Sequence, residues 1–283
     1  WGWSPSVAEP LPPGSTLGIR GGGQLGRMLA LAAARLGLCT HVYDPGEDPP
    51  AAQVAGRVTR AAFDDRAALA TFAAAVDVVT VEFENVPAAT AEALAAGAPV
   101  RPAPEVLATA QDRAIEKRFL NGIGVETAAW VEVGDAAGIA AALARTGAPA
   151  LLKTRRFGYD GKGQARVSGP EDAEAAFEAI GRAPAVLEGM VPFTAEISVI
   201  AVRGLDGEII AYDPGENVHR DGILRTTTVP AGIPRARAQD AVLIAGRILG
   251  ALGHVGVMGV EMFVTPGGLL VNEIAPRVHN TGH

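Results

Sequence analysis

The chain reads as an α/β protein with α+β units after it: a small doubly wound parallel-sheet domain comes first, then two further units. Three observations predict this. A strand, glycine turn, helix and strand follow one another after residue 13. A second glycine-rich loop, loaded with charge, lies between strands near residue 160. The last stretch, from Val257 on, is a pair of strands that carries two acids. A chain of 283 residues, 48% hydrophobic with 35 Gly and 20 Pro, suits two or three compact units rich in turns.

Residues 1–13 hold four prolines and little periodicity, and are expected to be a flexible tail. Thr16 to Ile19 reads as a strand, followed by the turn Gly21 to Gly26, a helix from Leu25 to Leu36, and a strand from Leu38 to Tyr43. Further helices are expected at Asp65–Ala75 and Ala88–Ala96, with strands at Val76–Phe83 and around Pro99–Arg101. These elements make a Rossmann-like domain over residues 14–111.

A new register begins at Asp112, whose helix runs to Gly122 with Arg113 and Lys117 on one face. A strand at Ala128–Val133, a helix at Ala136–Arg145, strands at 150–153 and Gln164–Val167, and a helix at Glu171–Ile180 complete a unit over 112–184. The third unit, 185–283, starts with a buried strand at 185–188 and an antiparallel pair, Glu196–Val202 and Glu208–Tyr212. Residues 213–230 read as a polar crossing, and Ala236–Leu252 as a helix stopped by Gly253. The closing hairpin turns at Thr265-Pro266-Gly267-Gly268. With Pro266-Gly267-Gly268 as a three-residue loop, Thr265 pairs with Leu269 and Glu261 falls opposite Glu273. Two carboxylates so placed repel each other and ask for a cation.

The bulk numbers exclude several classes. A net charge of −7 and a pI near 5.3 argue against a broad nucleic-acid-binding face. Cys39, the only cysteine, excludes a disulfide framework and a thiolate metal cluster, and its apolar run predicts a buried structural thiol. No stretch nears the about 18 uncharged apolar residues of a membrane span, and the N-terminus lacks the pattern of a signal peptide. The cytoplasm is the expected compartment.

The turn Gly21 to Gly26 has the G-x-G-x-x-G spacing, with Asp44 about where a ribose-binding acid would lie, which by itself suggests a dinucleotide. The loop Gly158-Tyr159-Asp160-Gly161-Lys162-Gly163-Gln164 frees backbone amides beside Lys162, with Lys153 at the preceding strand end, a device for covering polyphosphate. Glu188 and Glu196 end or begin apolar strands, His219 sits in the polar crossing, and Glu82 and Glu84 lie beyond a strand's carboxyl end.

The order of these features resembles the ATP-grasp architecture. Within it, the segments 21–28, 82–87, 158–164, 219–226 and 272–283 are similar to the signatures of the N5-carboxyaminoimidazole ribonucleotide synthase family. The resemblance runs from about Leu17 to the last residue. It implies a Rossmann-like pre-ATP-grasp domain and two ATP-grasp lobes that clamp ATP and two Mg²⁺ ions. It implies ATP contacts at Arg113, Lys153, 158–164, Glu188, Val191, Glu196, His219, Asn272 and Glu273, with Glu261 and Glu273 on the metal. Gln24, Leu25, Glu82 and Asn280 would meet 5-aminoimidazole ribonucleotide, and Lys153, Arg277 and His279 would serve the chemistry.

The implied reaction joins bicarbonate to that ribonucleotide through carboxyphosphate, releasing ADP, with neither NAD nor biotin, in a homodimer. Relatives continue past the last motif into a small C-terminal domain, so this chain is expected to be a fragment or a shortened product with uncertain turnover. The rivals are a formate-dependent glycinamide ribonucleotide transformylase, a nucleotide-binding fragment without turnover, and a dehydrogenase.

Overall fold

The computed structural model describes residues 10–158, 162–220 and 222–282. The first unit is built from β1 (Thr16–Arg20), α1 (Gln24–Arg35), β2 (Cys39–Tyr43), β3 (Arg57–Thr59), α2 (Arg66–Ala73), β4 (Val78–Val81) and α3 (Ala88–Ala95). Its sheet is parallel, in the order β3-β2-β1-β4. Parallel sheets bury both faces, and here Ile19 and Val42 pack under α1 while Tyr43 and Val79 meet Leu69, Phe72 and Leu94. β3 escaped sequence reading because three residues are too few for an alternation to register. The strand expected near Pro99–Arg101 is a single parallel bridge, Val100 to Val79. Cys39 is exposed, not buried as expected; it opens β2, whose other four residues are covered.

After α4 (Pro104–Ala110), α5 (Arg113–Gly122) starts at Asp112, whose carboxylate accepts the Ala114 and Ile115 amides. Caps of this kind are worth about 1 kcal/mol. The second unit holds β5 (Trp130–Val133), α6 (Ala136–Thr146), β6 (Ala150–Thr154), β7 (Gln164–Val167), α7 (Ala173–Ala179) and β8 (Ala185–Gly189). Its antiparallel sheet runs β5-β8-β6-β7 and is covered by α6 and α7 through Ile139, Ala142, Phe177, Leu152 and Leu187. β8 lies inside this sheet, so the boundary expected at 184/185 falls one strand too early.

The third unit contains β9 (Ala195–Arg203), β10 (Ile209–Ala211), β11 (Gly215–Arg220), β12 (Ile223–Thr228), α8 (Arg235–Ala251), β13 (Gly256–Val264) and β14 (Leu269–Ala275). The order is β12-β11-β9-β13-β14, with β10 beside β9. The stretch read as a polar crossing is thus a hairpin, β11 and β12, paired to β9. Its strands are mostly polar, so no buried-strand pattern announces them. Side chains alternate across a strand. Ile197, Val199 and Ala201 of β9, with Met258, Val260 and Met262 of β13, pack on Ala241, Ala245, Ile248 and Leu249 of α8. The intervening residues, Glu196, Ser198, Gly259 and Glu261, therefore share the opposite face.

Candidate active site

That opposite face floors a cleft of about 430 Å³ closed by the second unit's loop and by the end of β14. Arg113, Lys153, Gly158, Lys162, Gln164, Glu196, His219, Glu261, Asn272, Glu273, Arg277, His279 and Asn280 all line it. Tyr159, Asp160 and Gly161 lie outside the described residues. Val191 and Glu188 do not line the cleft. A larger hollow of about 640 Å³, around Trp130 and Arg145, shares no lining residue with it.

The acid pair arises by an unexpected route. The hairpin turn holds four residues, with the Thr265 amide donating to the Gly268 carbonyl at 2.8 Å, so Val264 and not Thr265 pairs with Leu269. That shift alone would turn residue 273 toward α8, because a one-residue slip exchanges the two faces. A bulge at Asn272 shifts the register back, and Glu261 stands opposite Glu273. Arg113 at the start of α5 reaches Glu273 Oε2 at 2.9 Å, and His279 Nε2 lies 3.1 Å from Glu261 Oε1. His279 Nδ1 meets Thr281 Oγ1 at 2.9 Å, and Ser198 donates to the same hydroxyl at 2.8 Å, fixing the ring. An ideal Cβ on Gly259 would sit 2.8 Å from His279 Cγ, so only glycine leaves room for it.

Burial pushes the Glu273 carboxyl up, but Arg113, with Lys153 and His279, outweighs it and holds it below the ordinary value. Its side chain keeps 38% of its surface open to the cleft. Glu261 and Glu273 supply hard carboxylate oxygens, and Asn272 Oδ1 is buried with no hydrogen-bond partner beside them. No group of three His, Cys, Asp or Glu residues among those described forms a closed metal cage. Two carboxylates and an orphaned carbonyl oxygen fit a Mg²⁺ ion that shares its remaining positions with phosphate oxygens and water.

The side chain of Glu188, a residue expected near adenine, is buried between two lysines, with Lys153 Nζ at 3.0 Å and Lys117 Nζ at 3.2 Å. The second contact lacks hydrogen-bond geometry, so Lys117 acts as a bare charge. Burial raises the Glu188 carboxyl, yet Lys153, Lys117 and Arg113 together hold it at about 2. The contact holds the Lys153 ammonium at the cleft wall. The loop closing the cleft folds on Thr154, whose amide donates to the Gly163 carbonyl at 2.8 Å. Gly163 adopts φ +69°, and a Cβ there would strike Thr154 Oγ1 at 2.6 Å. His219 Nδ1 is bonded to Glu196 Oε2 across β11 and β9.

The partners of three residues escaped sequence reasoning. Glu84 binds the Arg277 guanidinium through both oxygens, one at 3.4 Å to Nη2, joining the first unit to the end of β14. Gln111 Nε2 fixes that loop by donating to the Glu84 and Val86 carbonyls at 2.7 and 2.6 Å. Glu116, 3% exposed, accepts the Ile274 amide at 2.7 Å, and burial with the nearby Glu273 charge pushes it up to about 8. Only the chain distances involved, above 150 residues for Glu116 and Glu84, hide these pairs.

A second pocket of about 300 Å³ adjoins the cleft and shares Arg277 and Asn280 with it. Gln24, Leu25 and Glu82 line it, with Arg20, Asp44, Phe63 and Phe83. The glycine turn is already filled. Glu82 accepts the Gly23 amide at 2.7 Å and the Gly26 amide, and Asp44 accepts the Gly22 amide at 2.8 Å. Internal carboxylates thus occupy the helix N-terminus where a dinucleotide pyrophosphate would bind, which removes the basis for the dehydrogenase reading.

Comparison with known proteins follows the same division. The ATP-grasp domain description matches residues 118–283, and the ribonucleotide synthetase preATP-grasp domain description matches residues 15–111. The chain is similar to the N5-carboxyaminoimidazole ribonucleotide synthase of Brucella melitensis, 54% identical over 96% of this chain and 76% of that protein. The enzyme of the same description from Pseudomonas aeruginosa is 47% identical over 94% of this chain and 73% of its own length. A crystal structure of an ADP complex of an N5-carboxyaminoimidazole ribonucleotide synthetase superposes with a TM-score of 0.92 at 39% identity, covering 96% of this chain and 73% of the other. The Aspergillus clavatus synthase with ADP and 5-aminoimidazole ribonucleotide gives 0.89 at 32% identity, over 96% and 72% of the two chains.

Proposed function

The chain belongs to the N5-carboxyaminoimidazole ribonucleotide synthases, a family of ATP-grasp ligases, and we infer that it uses ATP and bicarbonate to carboxylate 5-aminoimidazole ribonucleotide. The observation that carries this reading is the junction of two pockets at Arg277 and Asn280, one built for polyphosphate and one facing the glycine turn. A phosphoryl donor in the first and an amine in the second would meet at that junction.

In the first step a bicarbonate oxygen attacks the γ-phosphorus of ATP and the bond to ADP breaks, giving carboxyphosphate. The exocyclic amine of the ribonucleotide then attacks the carboxyl carbon, phosphate leaves, and the nitrogen gives up a proton. Charge grows on phosphoryl oxygens in the first step, and fixed cations aimed at it lower the barrier. Lys153, pinned by Glu188, and Arg113, pinned by Glu273, supply such charge from the cleft wall. Arg277, held by Glu84 at the junction, is placed for the carboxyphosphate oxygens. His279, oriented by Thr281 and facing Glu261, is placed to hold the amine proton.

Glu261, Glu273 and Asn272 would hold two Mg²⁺ ions with the nucleotide, which would supply positive charge against the phosphates. Gly158, Lys162 and Gln164, which line the cleft, would help keep water from a labile acyl phosphate. Glu196 is assigned to the ribose hydroxyls, His219 beside it to the triphosphate, and Gln24, Leu25, Glu82 and Asn280 to the second substrate. By likeness to the family, two copies associate, which light scattering would test.

The deciding experiment measures ADP release from the purified chain. Release that needs both bicarbonate and 5-aminoimidazole ribonucleotide, and ignores formate, is expected. Release that needs formate and glycinamide ribonucleotide would move the chain to the transformylases. A rise in melting temperature with ATP-Mg and no release under either condition would leave a nucleotide-binding fragment.

A further inference from the structure

Lys117, on α5, carries an ammonium group into the body of the protein. Its side chain is 2% exposed, does not line the cleft, and its Nζ has no hydrogen-bond partner. The atom it faces, Glu188 Oε1 at 3.2 Å, is likewise buried without a hydrogen bond. An ammonium held this way is costly, because attraction alone must offset the loss of water. Glu188 does not need it as a partner: Lys153 already donates to the other carboxylate oxygen at 3.0 Å. What Lys117 changes is the charge balance.

One carboxylate paired with one lysine is neutral, and a wall so balanced presents little field to an anion. Two lysines on the same carboxylate leave one positive charge over. Of the two, only Lys153 reaches the cleft, where its side chain is 12% exposed. Arg113, the third cation that acts on Glu188, is committed to Glu273 at 2.9 Å. We propose that Lys117 is a positioning residue for nucleotide binding: it neutralises Glu188 from the buried side and leaves the Lys153 charge for a phosphate in the cleft. Away from solvent this compensation is little screened. The inference rests on Lys153's meeting the nucleotide phosphates, as proposed above.

Calorimetric titration of the 283-residue chain with ADP-Mg tests it. Lys117→Met keeps most of the side-chain volume and removes the charge, and should weaken ADP-Mg about 10-fold. Adding Glu188→Gln removes the carboxylate that Lys117 offsets, so the double variant should recover most of that loss. A lysine that only supported the fold would give no such recovery. Melting curves without nucleotide check that each variant is folded. If Lys117→Met fails that check, Lys117→Gln, which can still hydrogen-bond to Glu188, takes its place. Wild-type affinity in the Lys117 variant, or a loss that persists in the double variant, overturns the proposal. If Lys153→Met binds ADP-Mg no worse than wild type, the reading of Lys153 fails instead, and the inference falls with it.

Discussion

Glu261 and Glu273 face each other across β13 and β14 because the extra residue Asn272 cancels the one-residue offset of the hairpin turn. Each acid then finds its own partner, the His279 ring for one and the Arg113 guanidinium for the other. Replacing Glu273 by Gln keeps the shape and removes the charge. ADP formation should drop about 1,000-fold, about 4 kcal/mol of barrier, while circular dichroism stays unchanged. Turnover retained in this variant would sink the metal-site assignment.

The bond from Glu84 to Arg277 ties the first unit to the catalytic strand end. In Glu84→Gln the guanidinium loses its charge partner and its fixed orientation. We expect kcat to fall about 10- to 100-fold, the cost of one charge-assisted bond, with KM for ATP within about twofold. A parallel rise in KM for ATP, with kcat intact, would show that Glu84 acts on nucleotide binding instead.

Glu188 between Lys117 and Lys153 stabilises the junction of α5 with β6 and β8. Glu188→Gln leaves two lysines without their buried counter-charge, and breaking such a pair costs about 3–5 kcal/mol. Urea denaturation at neutral pH reads this directly. The folded pKa is depressed to about 2 from 4.5, so the contribution is present above pH 4.5 and is lost as pH falls toward 2. The acid-side decline should be shallower in the variant.

Glu116 has the opposite sign. Its folded pKa is raised from 4.5 to about 8, so the fold favours the neutral acid. Without nucleotide or metal, stability should therefore fall as pH rises from about 5 to 8, by up to about 4 kcal/mol. Glu116→Gln keeps an acceptor for the Ile274 amide and cannot ionise. Its melting temperature should vary less across that range and exceed wild type at pH 8.5. Equal slopes for the two proteins would show that Glu116 is not the titrating group.

Most elements and the glycine turn were legible in the chain because they depend on local patterns. The acid pair was reached through a three-residue turn that the structure does not form, and an unforeseen bulge restores it. Residues expected around one cleft do meet there, among them Lys153, Glu261, Glu273, Arg277 and His279. Local reading failed where a partner is distant or a strand is polar. Glu188 resembles an exposed strand-end acid until Lys117 and Lys153 converge on it. The hairpin of β11 and β12 shows no apolar alternation.

The sequence by itself determined which residues carry charge and which stretches are strand, helix or turn, since propensity and periodicity are properties of neighbours along the chain. Tertiary structure alone decided that Glu82 fills the glycine turn, that Glu84 orients Arg277, and that Arg20 stays buried without a charge partner. Those outcomes depend on which distant groups share a desolvated space, where an unmatched charge costs most.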